Sequence, residues 1–147
     1  MISPELLRRY PYFVSISAES LKKIASMADE ITVPAGTRLF NEGEPAAYLY
    51  IVAQGEVDIQ YLLGSDELRT VDTLVGGDIL VWSAIIEPYK TTAIGTTTKP
   101  TQLIRIAAPQ LRALCDEDPR VGYQLAIAVS KLLAGRLEGA RAQLASV

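Results

Sequence analysis

The chain has 147 residues, a formal net charge of −3 at pH 7, no histidine and one cysteine. That length suits one domain with a core that needs no metal or disulfide staple. The composition excludes a His-based triad, an imidazole metal or haem ligand, a thiolate zinc cluster and an internal disulfide, and its acidic balance argues against nonspecific nucleic-acid binding.

The longest uncharged run, Pro45 to Gly55, is far short of the roughly 20 residues that span a bilayer. The opening MISPELLRRY is charged early and carries no apolar signal core. A soluble, cytoplasmic protein with no membrane association is expected.

Residues 1–30 have helical character. Leu6, Leu7, Tyr10 and Phe13 suggest a short helix, and Leu21, Ile24, Ala25 and Ala28 follow at helical spacing behind Ser17. Ser17 is the expected N-cap, and Glu19 in the first turn suits the helix dipole.

Residues 31–107 read as many short strands. Tyr48 to Ala53 is a continuous apolar run, while Val57, Ile59 and Tyr61 alternate with Glu56, Asp58 and Gln60. Gln54-Gly55 between them predicts a tight hairpin, and Gly64-Ser65-Asp66 a second turn before a strand over Leu68–Thr73. Lys90–Thr98 reads as a strand, with Gln102–Ile106 as its partner across Lys99-Pro100. Turn signals roughly every 8–12 residues point to an antiparallel sandwich or barrel.

Residues 108–147 are helical. Pro109 suits a first helical position, and Leu111, Leu114 and Cys115 share a face. Asp118-Pro119 then starts a long helix, Arg120 to Gln143, about 36 Å long at 1.5 Å per residue. Leu125 to Leu137 is apolar on most sides, so something must cover it. One side is expected to pack on the sheets and the other to pair with a second copy of the chain. No strict heptad is evident, because Lys131 and Arg136 interrupt each candidate seam.

The order of helices, short strands and a long helix coincides with specific residues. Phe13-x-x-Ile16-Ser17-x-Glu19-x-Leu21 is followed by Pro34-Ala35-Gly36-Thr37-x-Leu39-Phe40-x-Glu42-Gly43-Glu44, then Leu49-Tyr50-Ile51-Val52-x-x-Gly55-x-Val57 and Gly77-Asp78. This pattern resembles the cyclic-nucleotide-binding domain family, which includes the sensor half of catabolite-activator-type bacterial regulators. The resemblance implies one domain over residues 1–147. Its fold is mainly β: an antiparallel β-roll of double-stranded β-helix (jelly-roll) type, with N-terminal helices and a long C-terminal helix.

In that family a glutamate in Phe-Gly-Glu accepts the ribose hydroxyl, and an arginine before a small residue pairs with the cyclic phosphate. The matching positions here depart from the pattern. Leu80, Val81 and Trp82 stand for Phe-Gly-Glu, and Lys90-Thr91 stands for the arginine and its small neighbour. Trp82 offers an indole donor and no acceptor. Val81 puts a branched side chain where the backbone should approach a ligand. Lys90 presents a point charge in place of a two-pronged guanidinium.

The candidate ligand-binding residues are thus Val81, Trp82, Ser83, Lys90, Thr91 and Arg136, the last from the stretch that roofs the base in relatives. Arg136 needs a partner in its apolar surroundings, either a ligand, Glu138 or an acidic group of a second subunit. A cyclic nucleotide (cAMP or cGMP) is the implied ligand, held weakly or no longer. Signalling through the C-terminal helix is the leading expectation, and a ligand-free dimerisation or partner-binding module is the alternative. The sequence ends at Val147 with no helix-turn-helix after the long helix, so this chain alone is not expected to bind DNA. No acid–base pair or phosphate loop points to an enzyme.

Overall fold

A computed structural model of the chain describes residues 1–146. Helix α1 (Pro4–Arg8), a 3-10 turn (Pro11–Phe13) and helix α2 (Ala18–Ser26) precede eight strands. These are β1 (Ala28–Val33), β2 (Arg38–Phe40), β3 (Tyr48–Gln54), β4 (Glu56–Leu62), β5 (Leu68–Val75), β6 (Ile79–Leu80), β7 (Ile94–Thr97) and β8 (Thr101–Ala107). Helices α3 (Ala108–Glu117) and α4 (Pro119–Ala145) follow.

Ser17 caps α2 as its composition predicts, accepting the Ser20 N–H at 3.2 Å. Asp118 caps α4, accepting from the Arg120 N–H at 3.2 Å and from the Ser20 hydroxyl at 2.6 Å. The same carboxylate therefore starts the long helix and ties it to α2. Its pKa is lowered, first by the Ser20 hydrogen bond.

The strands form two antiparallel four-stranded sheets, ordered β1-β8-β3-β6 and β2-β7-β4-β5. This is the jelly-roll architecture expected from the sequence. Alternation along the central strands divides the core in two. Leu49, Ile51, Ile104 and Ile106 face the helices with Leu7, Phe13, Ile24, Leu111 and Leu125. Tyr50, Val52 and Leu103 face the other way, meeting Val57 and Leu74 inside the roll.

Two predicted pairings are corrected. Lys90–Thr98 does not pair with Gln102–Ile106, since β7 bonds to β2 and β4 while β8 bonds to β1 and β3. Nor is Gln54-Gly55 a ladder hairpin, because β3 and β4 lie in different sheets. At both places the chain turns a corner between the sheets of a sandwich rather than folding back on itself. Gly55 makes its corner possible at φ 114°, where an added Cβ would stand 2.5 Å from Thr101 Oγ1 and 2.7 Å from Thr101 Cα. The turn at Gly64-Ser65-Asp66 does join a paired hairpin, β4–β5.

Candidate functional site

The segment after Gly77-Asp78 runs through β6 into a single 3-10 turn, Trp82–Ala84. Val81 leads into that turn with φ 62° and ψ 56°. A β-branched residue in the left-handed region is a genuine outlier. The position thus keeps the conformation of a glycine while carrying valine. Its side chain packs against both halves of the core, which holds it there.

A left-handed backbone costs an L-residue about 1–2 kcal/mol and glycine nothing, against roughly 0.5–1 kcal/mol of extra unfolded-chain entropy for glycine. Urea unfolding should therefore find Val81→Gly more stable than Val81→Ala by roughly 0.5–1 kcal/mol, the reverse of the order at ordinary positions. Alanine proving the more stable would show that this turn is not strained.

Beneath the segment lies a cavity of about 370 Å³. Its lining is mostly apolar, with Asp72, Ser83, Thr91, Thr92 and Arg136 and the polar tips of Tyr61 and Trp82 among it. Phe40 and Ile59 line it from one sheet, Ile79 and Leu80 from the other, and Leu132, Leu133 and Arg136 from α4. Phe40 reaches this place because Gly95 opposite has no side chain, and a Cβ there would meet the ring at 2.4 Å.

The expected site residues separate on this frame. Val81, Trp82, Ser83, Thr91 and Arg136 all line the cavity. Lys90 does not: it is exposed, and its backbone bridges to Pro45 at the rim of the sheet. Thr91 is committed to a neighbouring loop. Its hydroxyl donates to the Asn41 carbonyl and accepts from the Glu44 N–H at 3.0 Å, so it braces residues 41–44. Ser83 is buried, and among the described residues its hydroxyl has no hydrogen-bond partner. Trp82 lines the space and does not fill it.

Arg136 pairs within the chain, and not with Glu138. Its guanidinium reaches Asp72 at 2.9 Å and Asp78 at 3.5 Å, both in the same chain. Leu137, next to it in the chain, is 51% exposed and is not part of the lining.

Asp72 was not expected at this site. Val71 and Val75 look like the buried positions of β5, yet both are exposed, and Asp72 turns inward opposite Ile59. Asp72 shares the inner face with Leu74 in the regular part of the ladder, and the register shift beyond it leaves Val71 as the extra residue of β5. The only sequence signal was Leu74, two residues on and therefore on the same face. Asp78 is held in place by accepting the Val75 N–H at 2.9 Å. Tyr12 donates to the adjacent Gly77 carbonyl at 2.6 Å. Burial pushes the Tyr12 pKa up, and the nearby Asp78 adds to that.

On the far side of the segment, Arg112 of α3 donates to the Ala84 carbonyl at 2.8 Å and lies 4.2 Å above the Tyr89 ring. The turn over the cavity is thereby linked to the helix that leads into α4.

On α4, Val121, Leu125 and Val129 are buried, and Leu132 and Arg136 continue that face over the cavity. The opposite face is an exposed stripe: Tyr123, Ile127, Ser130, Ala134, Leu137, Arg141 and Leu144. These positions alternate by four and three, which is heptad spacing. Arg136 lies on the far side and Lys131 on the flank, so neither interrupts it. Ser130 and Arg141 do lie on the stripe, so its apolar positions are Tyr123, Ile127, Ala134, Leu137 and Leu144.

A β-roll sandwich with a turn-capped cavity and a long covering helix matches what comparison with known proteins finds. The cyclic nucleotide-binding domain family model matches residues 30–118, and the chain belongs to that family. A candidate cyclic nucleotide-binding protein from Geobacter metallireducens has a crystal structure that superposes with a TM-score of 0.85 at 34% identity, covering 93% of this chain and 99% of that one. The chain is 26% identical to a CRP-like cAMP-activated global transcriptional regulator of Mycobacterium tuberculosis, over 97% of its own length and 62% of the regulator. It is 24% identical to a candidate potassium channel protein of Rhodopseudomonas palustris, over 85% of its own length and 30% of that protein. The chain therefore spans less than two thirds of either curated relative. Among the described residues no helix is long and apolar enough to cross a membrane.

Proposed function

We propose that residues 1–147 form a single regulatory sensor domain in which cyclic nucleotide binding is weak or lost, and which acts through the position of α4. The observation that carries this is the pairing of Arg136. It is the one cationic side chain lining the cavity among the described residues, and Asp72 and Asp78 already neutralise it. A cyclic phosphate would enter beside Asp72 with no free cation to meet it. Trp82 and Val81, where the family carries glutamate and glycine, remove the ribose anchor as well. Losing a charged hydrogen bond costs about 1.5–3 kcal/mol, so two losses weaken binding roughly 10²- to 10⁴-fold.

The second element of the reading is a homodimer through the exposed stripe of α4, with another partner protein as the alternative occupant. Four large apolar side chains on the stripe, Tyr123 (65% exposed), Ile127 (37%), Leu137 (51%) and Leu144 (76%), support it. Such apolar exposure in a row marks an interaction face. The relatives named above include a transcriptional regulator and a channel, which supports a non-catalytic regulatory module.

Calorimetry with cAMP and cGMP tests the ligand half of the reading. Dissociation constants weaker than about 1 mM are expected, which at 1 mM nucleotide leaves the melting temperature almost unchanged. Saturable binding at about 10 μM or tighter would overturn it.

A further inference from the structure

We infer that the cavity is a site for an uncharged aromatic molecule of one or two rings carrying a hydroxyl or amine. The inference rests on the reading that nucleotide is poorly held, and goes further by naming what the altered cavity favours. About 370 Å³ lies at the small end of ligand cavities, which suits a compact molecule. Phe40, Tyr61 and Trp82 line it, and aromatic rings favour offset or edge contacts with another ring.

Charge selects against ions. The rim holds Arg136 and Asp72 as a closed pair, so an anion meets a carboxylate and a cation meets a guanidinium. Either would have to break that pair to gain a partner. What remains for a ligand is uncharged. Ser83 and Trp82 both line the cavity, and neither the Ser83 hydroxyl nor the Trp82 indole N–H is among the fully buried side-chain atoms that lack a partner, so both stand open to the cavity. A neutral hydroxyl can bond to both, giving and receiving one hydrogen bond.

Trp82 is the sole tryptophan of the chain, so its indole signal in a nitrogen–proton correlation spectrum reports on this cavity alone. The probes are 2-naphthol and 2-naphthoate, which share a ring system and differ in charge at pH 7. We expect 2-naphthol to shift the Trp82 signal saturably with a dissociation constant at or below about 100 μM, ordinary for a ligand of that size. Naphthoate should bind at least about 30-fold more weakly.

Asp72→Asn leaves Arg136 with one carboxylate fewer. It should improve naphthoate about tenfold and change naphthol less than about threefold. Dispersed spectra show in each case that the protein is folded. With a folded protein, no shift from 2-naphthol would overturn the inference, as would equal binding of the two probes. Cyclic AMP in parallel separates the two readings. A saturable micromolar shift with nucleotide defeats the weak-nucleotide reading, whereas silence from both nucleotide and naphthol defeats this inference alone.

Discussion

Replacing three side chains together, Val81→Gly, Trp82→Glu and Lys90→Arg, should raise the affinity for cyclic AMP at least about 100-fold. The estimate follows from restoring two charged hydrogen bonds at about 1.5–3 kcal/mol each, with about 1.4 kcal/mol per decade. Two features favour so large a gain. The backbone at Val81 already stands at φ 62°, so glycine relaxes the turn without moving it. The cavity is also present, covered by Leu132, Leu133 and Arg136 of α4, and only its anchoring groups are altered.

Lys90 sets the limit on the gain. It is exposed and outside the lining, so arginine must reach inward from the rim. Asp72 also remains as a carboxylate facing the incoming phosphate. Adding Asp72→Asn should give a further gain of about tenfold, and should do so only in the presence of Lys90→Arg or a freed Arg136. Calorimetry on the wild type, the triple and the quadruple variant reads both steps. A triple variant that still fails to bind at 1 mM would mean that the altered cassette is not what keeps the nucleotide out.

The sequence carried the architecture further than the site. Helix starts at Ser17 and Asp118 were legible because their side chains cap locally, within two or three residues. The strands were legible from alternation. Their pairing was not, because a jelly roll sends neighbouring segments such as β7 and β8 to different sheets, and a turn residue at a corner resembles one in a hairpin. Within the site, Val81, Trp82 and Ser83 could be placed from the family motif.

Asp72 could not be placed in that way. A charged residue between Val71 and Thr73 reads as solvent-facing, and alternation with the buried Leu74 turns it inward. The role of Arg136 follows from that placement. Its need for a partner was evident from an apolar stretch, but the partner is 64 residues away in sequence and lies on another element. Thr91 was misjudged for a similar reason: the hydroxyl expected at a ligand serves a loop 50 residues upstream.

Charges placed at Ile127 and Leu137 should split a dimer formed through α4 into monomers. On α4 the covered face and the exposed stripe are opposite sides of one rigid helix of 27 residues. If two copies pair along the stripe in parallel, equivalent residues meet across the two-fold axis, as an isologous interface requires. Ile127→Glu with Leu137→Glu would then set like charges against each other at two levels and remove two apolar contacts. A rise of at least about 100-fold in the dimer dissociation constant is expected, equivalent to about 2.7 kcal/mol. Both positions are solvent-exposed in the single chain, at 37% and 51%, so thermal unfolding of the monomer should change little.

Sedimentation across concentrations reads the result. A wild-type protein that is monomeric at about 100 μM, or a double variant that dimerises as well as wild type, would remove the stripe as an interface. If dimerisation holds, the one helix that carries both faces gives it a route to the cavity. Arg136 fixes the cavity-facing side of the same helix to Asp72 and Asp78. Any ligand that changes that contact changes the pose of the stripe, and dimerisation must then change the affinity for the ligand by the same factor. The monomeric variant should therefore bind 2-naphthoate, the probe that has to break that pair, with a measurably different dissociation constant, and identical values would mean that the two faces of α4 are independent.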